Sequence, residues 1–282
     1  MVGGGLSTSP MFGTELDTFV PADKVTDVCL AVIEIFRDKG NRDTRVRGRM
    51  KFLVQDMGAE KLRAEIIKRL GYDLENAGDS PLVPETFRDH VGIVGQKEPG
   101  LYSLGFSTSS GRITPEDLFV AADIAERCGS GVLFNSCAQN LLVPDVSEER
   151  LEQARDMALN APTMTLRATP IRAGMIVCTG MEFCNMAMAE TKNRSFDLLD
   201  YLEKEVSLDV PIKISISGCA HSCSQHQVAD IGLRGRKINV GDELLEAFDI
   251  FVGCQTGIEP EMGRCVKKPS SLRKSAWKLP TC

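Results

Sequence analysis

Four cysteines in two close pairs constrain this 282-residue chain more than any other feature of its sequence. They lie in VCTGMEFCNMAMAETK and ISISGCAHSCSQHQVADIGLRG, about a helix and a strand apart: Cys178 and Cys184, then Cys219 and Cys223. Four paired thiolates are the usual ligands of an iron–sulfur cluster or a structural zinc ion. Zinc sites usually have gaps of about two residues within each pair. The gaps here are five and three residues, which favours a larger inorganic core, with zinc as the alternative.

Length and composition are typical of a segment of an enzyme. With 282 residues, 43% of them hydrophobic, the chain can bury one or two cores. A net charge of -6 argues against nucleic acid as the main partner, because phosphate binding requires clustered lysine and arginine. No apolar run approaches the ~20 residues that span a bilayer, and the pattern of a signal peptide is absent. We therefore expect a cytoplasmic protein that binds neither nucleic acid nor membrane.

The other six cysteines do not share the spacing of the four. Ten cysteines would indicate disulfides only in an oxidising compartment, so a metal or cluster role is the better interpretation for the clustered four. Most of the remainder are predicted to be small buried hydrophobic residues: Cys29, Cys128, Cys137, Cys254, Cys265 and Cys282.

Amphipathic periodicity predicts three helices near the N-terminus, over Val25–Lys39, Arg45–Met57 and Glu60–Leu70. The apolar face of the first is formed by Val25, Val28, Cys29, Val32, Ile33 and Phe36. A group of arginines favours a solvated helix face over an anion-binding site: Arg42, Arg45, Arg47 and Arg49. The following stretch, Tyr72–Gln96, has no clean periodicity and is predicted to be loop and linker.

Strand and helix patterns then alternate, which predicts helices packed on a sheet. The predicted elements are a strand at Leu101–Thr108, a helix at Pro115–Arg127, a strand at Gly131–Leu142 and a helix at Ser147–Leu159. The first helix has a favourable start at Thr114, because a hydroxyl can accept a backbone N–H and Pro115 suits the first turn.

Each cysteine pair is predicted to lie where a strand ends and a helix begins. Strands at Gly174–Val177 and Ile212–Ser217 end just before the first cysteine of each pair. A long helix is predicted from near Cys184 to about Val206, and a short one from Ser222 or Cys223 through His226. Helix N-termini would then stabilise the thiolates. Farther on, Leu233–Val240 and Asp242–Val252 are predicted to form a hairpin that turns at Gly241.

The cysteine motifs and their flanking residues resemble the siroheme-containing nitrite and sulfite reductases. The flanking residues are Glu190-Thr191-Lys192 after the first pair and QHQVADIGLRG, Gln225 to Gly235, after the second. The resemblance implies that Cys178, Cys184, Cys219 and Cys223 hold a 4Fe-4S cluster, and that Cys223 also bridges to the siroheme iron.

The resemblance extends over most of the chain and implies an α+β fold. In that fold, a ferredoxin-like α/β unit and a mixed α/β domain for siroheme and the cluster follow a helical connection. The implied divisions are 1–20 as the end of a preceding siroheme-binding half, 21–99 as helical connection and linker, 100–161 as the ferredoxin-like unit and 162–282 as the cofactor domain.

Cofactor contacts are also expected outside the four cysteines: the resemblance implies Gln139 and Asn140, which match a Gln-Asn of the family near the siroheme, and Arg112, Thr179 and Ser222 are further candidates. Siroheme carries eight carboxylates, so amide and basic groups are expected around it. The alternative for Gln139 and Asn140 is that two polar residues simply end a strand.

Three further polar positions lie close to the cysteines. Four thiolates complete a cluster, so we expect His221 and His226 to form supporting hydrogen bonds rather than to be direct ligands. The family commonly has asparagine at the position of His221. Glu190 and Lys192 are read from their spacing as a solvated pair, and the resemblance alone gives them a supporting role.

The implied activity is the six-electron reduction of nitrite to ammonia, with sulfite reduction to sulfide as the alternative. A ferredoxin or a flavoprotein would supply the electrons. The basic residues that bind the anion in this family come mainly from the first half, and the final stretch KKPSSLRKSAWKLPTC departs from the family pattern. We therefore expect a fragment that lacks an N-terminal half and is inactive alone. A non-catalytic cluster-binding or metal-binding module is the alternative from another class.

Overall fold

The computed structural model describes residues 1–78, 90–254, 256 and 260–267. The chain divides into two compact units, Met1–Pro84 and Glu85–Cys282. Within the described residues, no helix has both the length and the apolar character needed to cross a membrane. The final stretch 268–282, with Cys282, lies outside the described residues.

The first unit consists of a small N-terminal hairpin and three helices. The helices are α1 (Val25–Lys39), α2 (Met50–Met57) and α3 (Ala59–Leu70). All three predicted helices are confirmed, although α2 begins five residues later than expected. Gly71 ends α3 in the left-handed conformation with φ +75°, which is the C-cap geometry that glycine favours.

The buried face of α1 differs from the one that periodicity predicted. Ala31 and Ile35 are buried in the core of this unit, whereas Cys29 and Ile33 are exposed. Helices α2 and α3 contribute four further core side chains, Leu53, Val54, Leu62 and Ile66, and Leu74 follows them. The buried face of α1 is therefore rotated about the helix axis from the predicted one. Helix α3 packs against the side of α1 that contains Ala31 and Ile35. The arginines 42, 45 and 49 are exposed, as predicted, but they lie between α1 and α2 and so do not form a helix face.

The second unit begins with an antiparallel four-stranded sheet, of order β1-β2-β4-β3, packed against two helices. Its elements are β1 (Gly92–Gly95), β2 (Leu101–Phe106), α4 (Pro115–Cys128), β3 (Phe134–Asn135), β4 (Leu141–Ser147) and α5 (Leu151–Ala158). The core between sheet and helices contains Leu104, Phe106, Ile124, Val143 and Val146. This unit confirms the expected packing of helices on a sheet.

Two details of this sheet differ from the sequence prediction. β1 lies in the stretch that was predicted to be loop, and the single predicted strand Gly131–Leu142 is two strands, β3 and β4. β4 continues through Pro144, which ordinarily argues against a strand interior. Proline is tolerated here because β3 pairs only with Leu141 and Leu142, which leaves that side of Pro144 unpaired.

A second sheet, of order β5-β6-β7-β8-β9, follows in the same unit. The short helix α6 (Pro170–Ala173) precedes it, and its elements are β5 (Met175–Val177), α7 (Lys192–Glu205), β6 (Ile214–Ser217), β7 (Ile231–Val240), β8 (Glu243–Val252) and β9 (Arg264–Lys267). β5, β6 and β7 are parallel, and β7 and β8 form the predicted hairpin around Gly241. One face buries apolar residues of α7 and the strands, among them Val177, Leu199, Ile214 and Ile216.

The predicted long helix is present as α7, but the helix starts predicted beside the cysteines are wrong. α7 begins at Lys192, eight residues after Cys184, and only a 3-10 turn at His226–Val228 follows Cys223. Both cysteine pairs therefore lie in loops at strand ends, and the proposed stabilisation of thiolates by adjacent helix N-termini does not apply.

The expectation that most of the other cysteines are buried is also wrong for those that the structure describes. Only Cys128 is buried, whereas two are exposed and two are half-buried: Cys29 and Cys137, then Cys254 and Cys265.

Candidate cofactor site

The first cysteine of each pair lies within two residues of the end of a strand, and the two strands are adjacent and parallel. Cys178 follows β5 and Cys219 lies just after β6, and the carboxyl ends of parallel strands meet at one edge of a sheet. The backbone N–H of Cys178 donates to the carbonyl of Ile216 at 2.9 Å. The N–H of Gly218 donates to Cys178 Sγ at 3.1 Å. The strand-end placement predicted from the sequence is therefore observed, and the two loops are in direct contact.

The loop that contains Cys184 folds back onto the second cysteine loop. Cys184 N–H donates to Gly180 O at 3.0 Å, and Met188 N–H donates to Gly218 O at 2.7 Å. Gly180 has φ +71°, and a Cβ at this position would lie 2.3 Å from Thr191 Oγ1. Only glycine allows this close approach without strain. The turn at Gly180 thus brings Cys184 to the side of the site occupied by Gly218.

Cys223 completes the group from an irregular loop in which Ser222 and Gln225 have φ +61° and +64°. Its side chain is exposed at the surface. Partial desolvation raises the pKa of the Cys223 thiol, and the negative charges of the three other cysteine sulfurs raise it further. The sulfurs of Cys178, Cys184 and Cys219 therefore lie within electrostatic range of Cys223.

The arrangement of the donor side chains bears on whether the site would hold a single ion or a cluster. Among the residues that the structure describes, no three His, Cys, Asp or Glu side chains converge closely enough to hold one metal ion. Four neighbouring cysteine thiols on two adjacent loops are the ligand set that holds a 4Fe-4S cluster. The chemistry of the donors therefore fits an iron–sulfur cluster.

The two histidines near Cys223 have different environments. His221 is exposed, and its Nδ1 lies 3.3 Å from Cys219 Sγ. His226 is fully buried, with its ring 5.1 Å from the ring of Phe251. Within the described part of the chain, neither nitrogen of His226 forms a hydrogen bond. Burial, and then the charge of Arg234, lower the pKa of His226 to about 4, so the imidazole is neutral at pH 7.

A cleft of about 450 Å³ lies beside the first cysteine loop. Its lining residues are Gly111, Arg112, Ile113, Gln139, Thr179, Phe183 and Lys192. Three of the predicted cofactor contacts therefore line one cavity: Arg112, Gln139 and Thr179. Arg112 forms an ion pair with Glu182 at its edge. The other two predicted contacts, Asn140 and Ser222, are not among the lining residues.

The amides of Gln139 and Asn140 form hydrogen bonds to the backbone. Gln139 Nε2 donates to Val177 O at 2.7 Å, and its Oε1 accepts from Val177 N–H at 3.0 Å. Asn140 Oδ1 accepts from the N–H of Thr108 at 3.1 Å. Gln139 thus pairs with the end of β5 as a neighbouring strand would. Ser222 Oγ is buried and has no hydrogen-bond partner among the described residues, so it can still receive or donate one.

Lys192 also lines the cleft, and its environment overturns the expected solvated pair. Its side chain is buried, and Nζ donates to the carbonyls of Ser110 and Val177. Glu190 instead caps α7, because its carboxylate accepts from the N–H groups of Asn193 and Arg194 at 3.1 and 3.0 Å. The predicted helix start near Cys184 placed both residues within a helix, which hid these roles.

Comparison with known protein families identifies the domains of the chain. Residues 1–74 and 173–277 match the nitrite and sulphite reductase 4Fe-4S domain. Residues 94–161 match the nitrite/sulfite reductase ferredoxin-like half domain. The second match agrees with the antiparallel sheet of β1 to β4 and its two helices.

Individual relatives and a solved structure give the same family. The chain is 36% identical to the chloroplastic ferredoxin–nitrite reductase of Zea mays over 258 residues, which cover 90% of the chain and 45% of that enzyme. It is also 36% identical to sulfite reductase [ferredoxin] 1 of Mycolicibacterium paratuberculosis, which covers 95% of the chain and 49% of that enzyme. The Mycobacterium tuberculosis NirA structure matches with a TM-score of 0.88 and 33% identity, over 95% of the chain and 50% of NirA.

These matches also set the scale of the chain, which spans about half the length of the relatives that it matches. They confirm the α+β fold with its ferredoxin-like unit. The chain belongs to the nitrite and sulphite reductase family of oxidoreductases, whose cofactors are a 4Fe-4S cluster and siroheme.

Proposed function

We propose that this chain holds the 4Fe-4S cluster of a ferredoxin-dependent reductase next to siroheme, for the six-electron reduction of nitrite to ammonia. The observation that carries the proposal is the meeting of two cysteine loops at one edge of a parallel sheet, beside a cleft lined by Arg112 and Thr179. When bound, siroheme supplies the iron at which the anion is reduced.

The proposed cluster ligands are the four paired cysteines, with Cys223 as the thiolate shared with the siroheme iron. Cys223 is the most exposed of the four, which suits a ligand that faces a second cofactor. Cys178 accepts a hydrogen bond from Gly218 N–H, and a hydrogen bond to a ligand sulfur raises a cluster's reduction potential. The protein residues thus position the ligands and adjust the potential.

The cleft residues are proposed to bind the carboxylates of siroheme. Arg112 offers planar N–H donors that suit carboxylates, and Thr179 is exposed on the same wall. The buried hydroxyl of Ser222 is a further donor next to Cys223. Gln139 has a positioning role in this scheme, because its amide already pairs with both backbone groups of Val177.

Nitrite is favoured over sulfite as the substrate, with the motifs ETK and QHQVADIGLRG as its support. Sulfite remains the second candidate, because a sulfite reductase is as similar to the chain as a nitrite reductase is. Ferredoxin is the proposed electron donor, since relatives of both kinds are named for it. A flavoprotein is the alternative donor. The activity is proposed for a protein that also provides the second wall of the siroheme site.

Anaerobic reconstitution with iron and sulfide tests the cluster assignment. We expect about four iron and four acid-labile sulfide per chain, a broad visible absorption band and, after reduction, the electron paramagnetic resonance signal of a 4Fe-4S cluster. Serine substitution at each of the four cysteines should reduce the bound iron severalfold. Cys29→Ser, at an exposed cysteine of α1, is the matched control and should bind iron normally. Zinc without sulfide would instead indicate a non-catalytic module.

A further inference from the structure

Lys192 is a buried cation for which the described residues provide no anionic partner. Its side chain is only 7% exposed at the first position of α7. Its Nζ donates to Val177 O at 3.1 Å and to Ser110 O, both of which are neutral carbonyls. It forms no ion pair with a carboxylate in the described part of the chain. A buried ammonium group without a counter-charge is costly.

Three charged groups interact electrostatically with Lys192, and one of them can balance its positive charge. They are Arg112, Glu182 and Cys178. Arg112 and Glu182 form an ion pair with each other, so their opposite charges largely cancel at Lys192. Cys178 remains, and it directly follows Val177, whose carbonyl accepts from Lys192 Nζ. The negative charge that balances Lys192 is therefore the one that Cys178 acquires when it becomes a ligand thiolate.

We propose that Lys192 is the fixed counter-charge of the 4Fe-4S cluster and raises its reduction potential from the Cys178 side. Reduction adds one negative charge to the cluster, and a buried cation that contacts the carbonyl preceding the ligand Cys178 stabilises that charge more than it stabilises the oxidised state. Water screens this interaction little because the ammonium is buried. This inference rests on the cluster assignment made above.

The same contacts explain how the cation is held in place. The two carbonyls that accept from Nζ belong to different segments, the turn at Ser110 and the end of β5. Ser195, on the next turn of α7, adds a hydrogen bond to Ser110 Oγ at 2.6 Å. Burial lowers the pKa of the Lys192 ammonium below its ordinary value, and the Cys178 charge opposes that shift. An anionic cluster and a charged lysine thus stabilise each other.

A redox titration of the reconstituted protein without siroheme tests the proposal. Lys192→Gln removes the charge and keeps an N–H donor for the carbonyls, Lys192→Met removes both, and Lys192→Arg keeps the charge. In the Gln and Met variants, we expect the ratio of reduced to oxidised cluster at a fixed potential to fall about tenfold, which is about 59 mV for one electron. Lys192→Arg should stay near the wild-type value. Lys204→Met, at an exposed lysine in the last turn of α7, is the control and should not shift.

The possible outcomes separate this proposal from its alternatives. An unchanged potential in both Lys192→Gln and Lys192→Met would overturn it. A shift that occurs only after siroheme is added would also overturn it, because the counter-charge would then be a carboxylate in the cleft. If the Met variant does not fold, the Gln variant alone decides. Failure of the wild-type chain to assemble a cluster would instead refute the proposed function, and this inference with it.

Discussion

At the scale of single residues, the four site cysteines are not equivalent, and Cys223 is the one exposed to solvent. If Cys223 bridges the two cofactors, Cys223→Ser in protein loaded with both should change the siroheme absorption spectrum and abolish reduction of the anion. The physical reason is that a hard oxygen ligand replaces a soft thiolate on the electron path. Visible spectroscopy and activity with a chemical electron donor would measure both effects.

The control for that prediction is Cys265→Ser in β9, where the thiol has no place in the paired motif. It should leave spectrum and activity nearly unchanged. Equal losses from Cys223→Ser and Cys265→Ser would mean that the bridging assignment is wrong.

Motif residues at the site could be predicted from the sequence, but the partners of their side chains could not. The spacing of the cysteines indicated one site, and three of the predicted cofactor contacts, Arg112, Gln139 and Thr179, line one cleft. Lys192 was read as solvated because its two carbonyl partners come from distant segments, at Ser110 and Val177. No local pattern records a contact across about eighty positions of sequence.

At the scale of elements, β7 supports the loops that contain the cysteines, and two of its glycines allow that contact. A Cβ at Gly232 would lie 1.9 Å from His226 O, and one at Gly235 would lie 2.5 Å from Gly218 O and 2.8 Å from Ala189 Cβ. Gly218 precedes Cys219. Gly232 and Gly235, in the motif that follows the second cysteine pair, therefore leave space for these loops to pack on β7.

We expect Gly235→Ala to lose most of the bound iron after reconstitution, because the added methyl group must displace the loop at Gly218. Overpacking of this kind costs about 1–3 kcal/mol. Iron content and thermal unfolding would be measured together. Gly95→Ala in β1 is the control, since nothing lies within 4 Å of a Cβ there. Normal iron binding by Gly235→Ala would show that the loop is not held against β7.

Helix α4 provides a second prediction for an element, through the carboxylate that caps it. Asp117 is buried and accepts from Thr114 N–H at 3.0 Å and from Thr163 N–H at 3.0 Å. Burial alone would raise the pKa of Asp117, but the hydrogen bonds from Thr163 and Thr114 lower it to about 2. Since the folded pKa lies below the unfolded value, the stabilisation is present above about pH 4 and is lost as the pH falls through 2.

Asp117→Asn should therefore destabilise α4 by about 2 kcal/mol at pH 7. It should also abolish the pH dependence that Asp117 gives to the stability of α4 between about pH 5 and 2. Hydrogen exchange of the α4 amides, followed by mass spectrometry, measures this locally. Asp123→Asn, on the exposed face of α4, should change little. If both variants exchange alike at pH 7, Asp117 does not stabilise the helix.

The largest error among the predicted elements, the helix start placed near Cys184, has an identifiable physical cause. Apolar periodicity located α1, α3 and α4 well, because these helices bury a stripe against their own unit. It failed between Cys184 and Lys192, where alanine and methionine suggest a helix but the backbone is held in turns by Gly180 and Gly218. Hydrogen bonds between loops, rather than local propensity, decide the structure there.

At the scale of the whole molecule, the fold class was predictable and the domain boundaries remain a prediction. The α+β architecture and the ferredoxin-like unit are confirmed by the structure and the family comparison. The structure divides after Pro84 into two compact units, and the family's 4Fe-4S domain matches residues in both. Sequence patterns could not predict this division, because residues far apart in the sequence, 1–74 and 173–277, match the same family domain.

The last prediction concerns the activity of the 282-residue chain by itself. We expect it to reduce neither nitrite nor sulfite at a useful rate, even when loaded with iron, sulfide and siroheme. An anionic substrate requires fixed positive charge at a site that excludes water. In the described cleft, Arg112 is paired with Glu182, and Lys192 is buried against two carbonyls. With Arg112 proposed to bind siroheme carboxylates and Lys192 held by two carbonyls, neither cation is left for the substrate anion.

Reduced methyl viologen supplies the electrons for the test, with nitrite and sulfite consumption measured separately. A relative of about twice the length, such as the Mycolicibacterium paratuberculosis sulfite reductase, serves as the positive control under the same conditions. Turnover by the chain alone would contradict the prediction and would require substrate-binding residues within Gly100 to Arg264. In that case Arg112 would have to leave Glu182 when the anion binds, so Glu182→Gln should lower the KM for the anion. An unchanged KM in Glu182→Gln would place the substrate away from this cleft.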